Sequence, residues 1–181
     1  MAIRFDVPVD PHLQMTGIVD GLTRAGDPDQ PAPASSYFSH ALYGLIGLES
    51  SKSAGMVASP ESTSRFRETV SDLLVEQAGN FQAFCWDTYN FALNGANGEW
   101  YKACLGRSVL QILLDDFKGT AAADLIGPEE VEEIEEIDDL LRAAAPDAAP
   151  LEGVLLPPGM PADHWWWFLP SGPPAEPDPE P

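Results

Sequence analysis

The chain has 181 residues, 44% of them hydrophobic, which fits one folded domain with tails and excludes wholesale disorder. Acids outnumber bases 29 to 9, for a net charge of −20. Neither nucleic acid nor a membrane surface is therefore expected as a direct partner, since both favour a basic footprint; a basic protein fits the charge.

The first residues alternate: Ile3, Phe5, Val7 and Val9 against Arg4, Asp6, Pro8 and Asp10. That period of two predicts an extended N-terminal arm or an edge strand, because Pro8 cannot donate to a ladder. Leu13 to Leu22 predict a helical turn or two. Residues 25–36 read as a loop by composition.

Regular structure is expected to begin at residue 36. Tyr37, Phe38, Ala41, Leu42, Leu45, Ile46 and Leu48 recur at helical spacing, with Ser35 or Ser36 as N-cap. Gly44 and Gly47 weaken that helix intrinsically and so predict close approach of a neighbour. Residues 50–58 read as a loop. Ser59-Pro60-Glu61 combines a capping hydroxyl, a proline at the first position and an acid at the positive end of the dipole. Phe66, Val70, Leu73 and Leu74 then form a stripe, with Gly79 as the expected stop. Further helices are predicted over 80–93 and 99–117, the latter closed by Lys118-Gly119.

The last predicted helix, 128–145, carries Glu129, Glu130, Glu132, Glu133, Glu135, Glu136, Asp138 and Asp139 around a narrow stripe of Val131, Ile134, Ile137, Leu140 and Leu141. It lies in a half of the chain, residues 91–181, that holds 18 acids and 4 bases. From Pro146 onward fall 11 of the 18 prolines, so no further long helix is expected. This stretch includes Trp165, Trp166 and Trp167. Three adjacent indoles either fold back over the helices or form an exposed docking patch.

These signals predict a mostly α fold, a helical bundle of about four to five helices with an extended N-terminal arm and a Trp-rich C-terminal segment. The expected divisions are an arm and loop (1–35), a helical domain (36–145), an extended Trp-rich segment (146–170) and a disordered acidic tail (171–181).

Chemistry-bearing motifs are lacking. No metal-ligand spacing, phosphate loop or nucleophile elbow occurs, so no catalytic residue, metal or cofactor is expected. Cys85 and Cys104 are too few for a disulfide scaffold and read as buried thiols of a cytoplasmic protein. A Cys85–His40 nucleophile and base is disfavoured, because Cys85 lies on an apolar helix face.

The expected function is that of a non-enzymatic acidic protein-binding module: an immunity-type neutraliser, a DNA mimic or a chaperone of a basic protein. Its contact residues would be the eight acids of 129–139 and Trp165, Trp166 and Trp167. Two alternatives are a small-molecule-binding or catalytic bundle, with an aromatic pocket around Trp86, Trp100 and Trp165 to Trp167, and a structural subunit of an assembly.

Overall fold

The computed structural model describes residues 9–31, 33–151 and 155–168. Six α-helices and no strand occur among the described residues: α1 (Pro11–Ala25), α2 (Ala34–Ser53), α3 (Pro60–Glu76), α4 (Ala78–Leu93), α5 (Trp100–Asp116) and α6 (Pro128–Ala144). The fold is thus a mostly α helical bundle. The alternating arm up to Pro8 and the tail 171–181 lie outside the described residues.

Sequence signals locate α3 to α6 to within a residue or two, and α1 is the main correction. Expected as a turn or two outside the domain, it is a helix of 15 residues. Asp10 caps it by accepting from the backbone N–H of His12 at 2.8 Å and Leu13 at 3.2 Å. Its Ile18, Leu22 and Ala25 are buried, and it packs against α2.

α2 starts from Pro33 with no side-chain cap, so neither Ser35 nor Ser36 has the expected role. It also runs on through Ser53 into the predicted loop. Ser50 and Ser51 are buried there, and Ser51 Oγ donates to Val9 O at 3.2 Å. Gly79 does not stop α3. The break falls at Gln77 (φ −115°, ψ 35°), and Gly79 sits in the first turn of α4. Gln77 Nε2 donates to Leu22 O at 2.8 Å, which ties this break to the end of α1.

The glycines of α2 mark a close crossing, as their sequence context suggested. A Cβ on Gly44 would lie 2.7 Å from Ile18 Cγ1, and one on Gly47 would overlap the Gln14 amide. Gln14 instead donates to Gly44 O at 3.2 Å. Across the bundle, a Cβ on Gly106 would overlap Thr88, so α4 and α5 also meet through a small residue.

α5 is the central element, packed against α2, α4 and α6. Every residue from Ala103 to Leu110 is buried, including Arg107 and Ser108. A helix buried all round must satisfy its polar groups internally, and the C-terminal tryptophans do much of this. Ser108 Oγ accepts from Trp166 Nε1 at 2.9 Å and from Trp167 Nε1 at 2.7 Å. Cys104 Sγ donates to Trp166 O at 3.3 Å. The Arg107 guanidinium lies 4.4 Å from the Trp166 ring centroid, and His164 packs at a tilt against the same indole, with ring centroids 4.9 Å apart. Tyr101 meets Trp167 edge-on at 6.0 Å.

Of the two readings of the Trp-rich segment, folding back over the helices is the one that the burial of Trp166 and Trp167 supports. Trp166 and Trp167 are 1% and 2% exposed. Burying a large apolar side chain contributes about 1.5–3 kcal/mol, before the indole hydrogen bonds are considered.

Ser108→Ala leaves both indole N–H groups without their acceptor. It is expected to cost about 2–6 kcal/mol, taking roughly 1–3 for each buried unsatisfied donor. Urea unfolding measures this, and an unchanged midpoint would refute the double acceptance.

His164 is buried and its Nδ1 has no hydrogen-bond partner. Burial holds the imidazole below its ordinary value of 6.5; Asp163 opposes the shift and Arg107 reinforces it, with weaker upward pulls from Glu49 and Asp115. The unfolded chain therefore takes up the proton more readily. Stability from this group is present above pH 6.5 and is lost as pH falls through the folded value. Replacing His164 by Phe should flatten stability against pH in that window, as read by tryptophan fluorescence during unfolding.

Candidate partner-binding face

α6 forms where helix-start signals and an apolar stripe coincide. Pro128 occupies the first turn, Glu129 and Glu130 lie at the positive end of the dipole, and Arg142 lies in the last turn. Glu130 Oε2 accepts from Gly127 N at 3.0 Å, as in half of a capping box. Ile134, Ile137 and Leu141 are buried, and Leu140 is half-buried. Val131 was expected in the stripe but is exposed, because the helix seats its apolar face one turn further along.

The eight acids separate into distinct roles. Asp138 does not belong to an open face: it forms a bidentate pair with Arg107, Nε to Oδ1 at 2.7 Å and Nη2 to Oδ2 at 3.1 Å. The same guanidinium donates from Nη1 to Gln111 Oε1 at 3.1 Å, and Gln111 donates to Asp115 at 2.8 Å. Asp139 pairs with Arg142 at 3.0 Å, while Arg142 also lies 4.9 Å from the Trp165 ring. Glu129, Glu132, Glu135 and Glu136 are exposed, and Glu130 and Glu133 are half-buried.

Glu133 shows how crowded this face is. Burial raises its carboxyl above the ordinary 4.5, and the charges of Glu130 and Glu136 raise it further. The same crowding reaches α4. Burial pushes the Cys85 thiol up to about 12, and Glu133 and Glu130 add to the effect. Such a thiol is protonated at neutral pH and is a poor nucleophile; His40, its imagined base, is exposed.

Beside Cys85 on α4 lies an aromatic pair with one ring exposed and the other half-buried. Trp86 is 60% exposed and stacks on Tyr89, with ring centroids 5.7 Å apart and planes 7° from parallel. Tyr89 follows Cys85 by one helical turn, so it shares the flank on which the α6 carboxylates are felt. Leu93 is also exposed. The sequence reading missed this pair and considered Trp86 only as part of the aromatic pocket of its alternative reading. The one available signal was position: Trp86 falls outside the stripe of Phe81, Phe84, Cys85 and Thr88.

The tryptophans do not converge on a common pocket. Trp86 is on the surface, whereas Trp100, Trp166 and Trp167 are packed in the core. As partner contacts, Trp166 and Trp167 are already covered by this chain's own residues; Trp165 is half-buried, edge-on to Trp166 at 5.7 Å. Cys85 and Cys104 are free and buried. Among the described residues no group of three His, Cys, Asp or Glu side chains could hold a metal ion, and no helix is long and apolar enough to cross a membrane. Compared with known proteins, the chain matches no family model, no curated protein and no solved structure.

Because the folded chain holds the Glu133 proton more tightly than the unfolded chain, this group's contribution is present below pH 4.5 and lost as pH rises through its folded value. Glu133→Gln should raise stability at pH 7 and reduce the loss as pH rises from 4 to 7. Urea midpoints of the two proteins at both pH values test this; parallel pH dependences would refute it.

Proposed function

We propose that the chain is a non-enzymatic protein-binding module whose partner is basic, and that the contact face is the acidic side of α6 together with the Trp86–Tyr89 pair of α4. The observation that carries this reading is the exposed Trp86, stacked in parallel on the half-buried Tyr89, on the helix that packs against α6. An acidic helix alone serves solubility equally well. A tryptophan left mostly in water beside such a helix serves solubility badly.

The two parts have different roles. The single-sign field of a chain of net charge −20 speeds encounter with a cationic protein. The indole and phenol faces supply a flat anchor for an arginine or lysine, through cation–π contact with the apolar stem laid along the ring. This fits a neutraliser, a DNA mimic or a chaperone of a basic protein, acting in a reducing cytoplasm where two buried free thiols persist. Trp166 and Trp167 have no part in the contact. Asp138 acts indirectly, by anchoring α6 to α5.

The test uses the basic protein retained by the immobilised chain at low salt and then purified. Glu132, Glu133 and Glu136 reversed to lysine should slow its association at least about tenfold at low ionic strength. The same reversal at the exposed Asp20, Asp72 and Asp124 should do far less. Trp86→Ala should mainly speed dissociation. Equal effects of the two triple variants, or an unaltered dissociation rate for Trp86→Ala, would refute this face.

A further inference from the structure

α4 and α6 lie side by side and run in the same direction. Glu130 and Glu133, in the first half of α6, are close enough to Cys85 for their charges to act on its thiol. At the far end, a Cβ on Gly95, two residues past α4, would lie 3.3 Å from the Cβ of Ala144, the last residue of α6. Between these two anchors the register sets Trp86, Tyr89 and Leu93 alongside Glu133, Glu136 and Leu140. Both sets have the spacing i, i+3, i+7, so each is a stripe along one helix face. On α4 the stripe is apolar, with Trp86 60% exposed, Leu93 55% exposed and Tyr89 half-buried between them. On α6, Glu136 is exposed, and Glu133 and Leu140 are half-buried. The two stripes flank a groove of two helical turns, about 11 Å long at 1.5 Å per residue.

An apolar stripe left in water marks an interaction surface. This one has the anchor spacing by which one helix lays its apolar face on another. The α6 wall adds negative charge, and Glu129 and Glu132 are exposed on the same helix. The last turn of α4 contains no base, so the negative end of its dipole, beside Leu93, adds to the pull on a cation. The occupant that fits is therefore apolar along one side and basic along the other. A second copy of the chain fits poorly, because each copy carries a net charge of −20. Residues 169–181 fit no better, having three acids and no base.

Resting on the basic-partner reading above, we infer that the α4–α6 groove receives an amphipathic basic helix of the partner. Its apolar residues pack on Trp86, Tyr89, Leu93 and Leu140, and its lysines or arginines reach Glu133 and Glu136. Leu93 thereby joins the contact as a second exposed anchor, about two turns from Trp86.

The test uses two fluorescein-labelled peptides of about 18 residues, long enough to form a helix once bound. Both contain the same leucines, lysines and alanines. In the first, leucines recur at i, i+3, i+4 and i+7, so leucine and lysine occupy opposite faces; in the second, the order is shuffled to spread both around the helix. Fluorescence anisotropy with the full chain is expected to show the first peptide binding at least about tenfold more tightly than the second. Circular dichroism should show that it gains helix on binding. Leu93→Ser should weaken the first peptide at least about fivefold, whereas Leu13→Ser, at an exposed leucine of α1, should leave it unchanged. Both leucines are exposed, so neither change unfolds the bundle. Equal affinities for the two peptides, no gain of helix, no binding of either, or equal effects of the two leucine changes would each overturn the inference. So would a dimer in sedimentation velocity that Leu93→Ser dissociates, which would assign the groove to a second copy. If both peptides bind equally and both are weakened when Glu132, Glu133 and Glu136 are reversed to lysine, the helix is lost and the basic-partner face stands. Binding indifferent to that reversal and to Trp86→Ala removes the face as well.

Discussion

Arg107 carries a full charge in the middle of the most deeply buried helix of the bundle, with only 5% of its surface exposed. A charge in that position is tolerable only if it is paired and its donors are filled. Asp138 supplies the pair, Gln111 fills a further donor, and the Trp166 ring lies against the guanidinium plane. Two distant pieces of chain are thereby fixed to α5. One is α6, whose rotation about its own axis is set by the inward Asp138. The other is the tryptophan segment, held against Arg107 and Ser108. With α6 turned this way, Ile134, Ile137 and Leu141 go inward and the remaining acids go outward.

Most of this fold could be read in advance, and the exceptions have physical causes. α3, α5 and α6 carry proline or glycine punctuation and stripes wide enough to detect. α1 was underestimated because Gly17 and Gly21 dilute its propensity and only a few of its side chains are buried; its stability comes from α2, through the crossing at Gly44 and Gly47. The extension of α2 through Ser53 depends on serines that bond to backbone carbonyls rather than breaking the helix, which composition does not reveal.

The candidate face was legible as charge but not as geometry. Eight clustered acids are plain in the sequence, but which of them is engaged depends on a partner 31 residues away, Arg107 for Asp138. An arginine between Gly106 and Ser108 carries no sign of burial beyond its small neighbours, which leave room for an indole. For the tryptophans the sequence left two readings open. The three adjacent ones attract attention as a docking patch and are mostly core. Trp86, which falls outside the apolar stripe of its helix, is the one left in water.

Ser108 accepts hydrogen bonds from residues 58 and 59 positions further along the chain. Contacts of such separation form late, because loop closure must come before they contribute. While the chain is being synthesised, α1 to α5 emerge with the Arg107–Ser108 side of α5 bare: an unpaired cation and a hydroxyl set in an apolar groove. Asp138 can neutralise the cation once α6 emerges, but the groove stays open until Trp166 and Trp167 leave the ribosome. The nascent protein thus passes through a stage in which its later core is an open, sticky surface, and ribosomal pausing or premature termination before Trp166 would prolong that stage. Such products would be exposed to aggregation and quality-control proteolysis in a way that the finished chain is not.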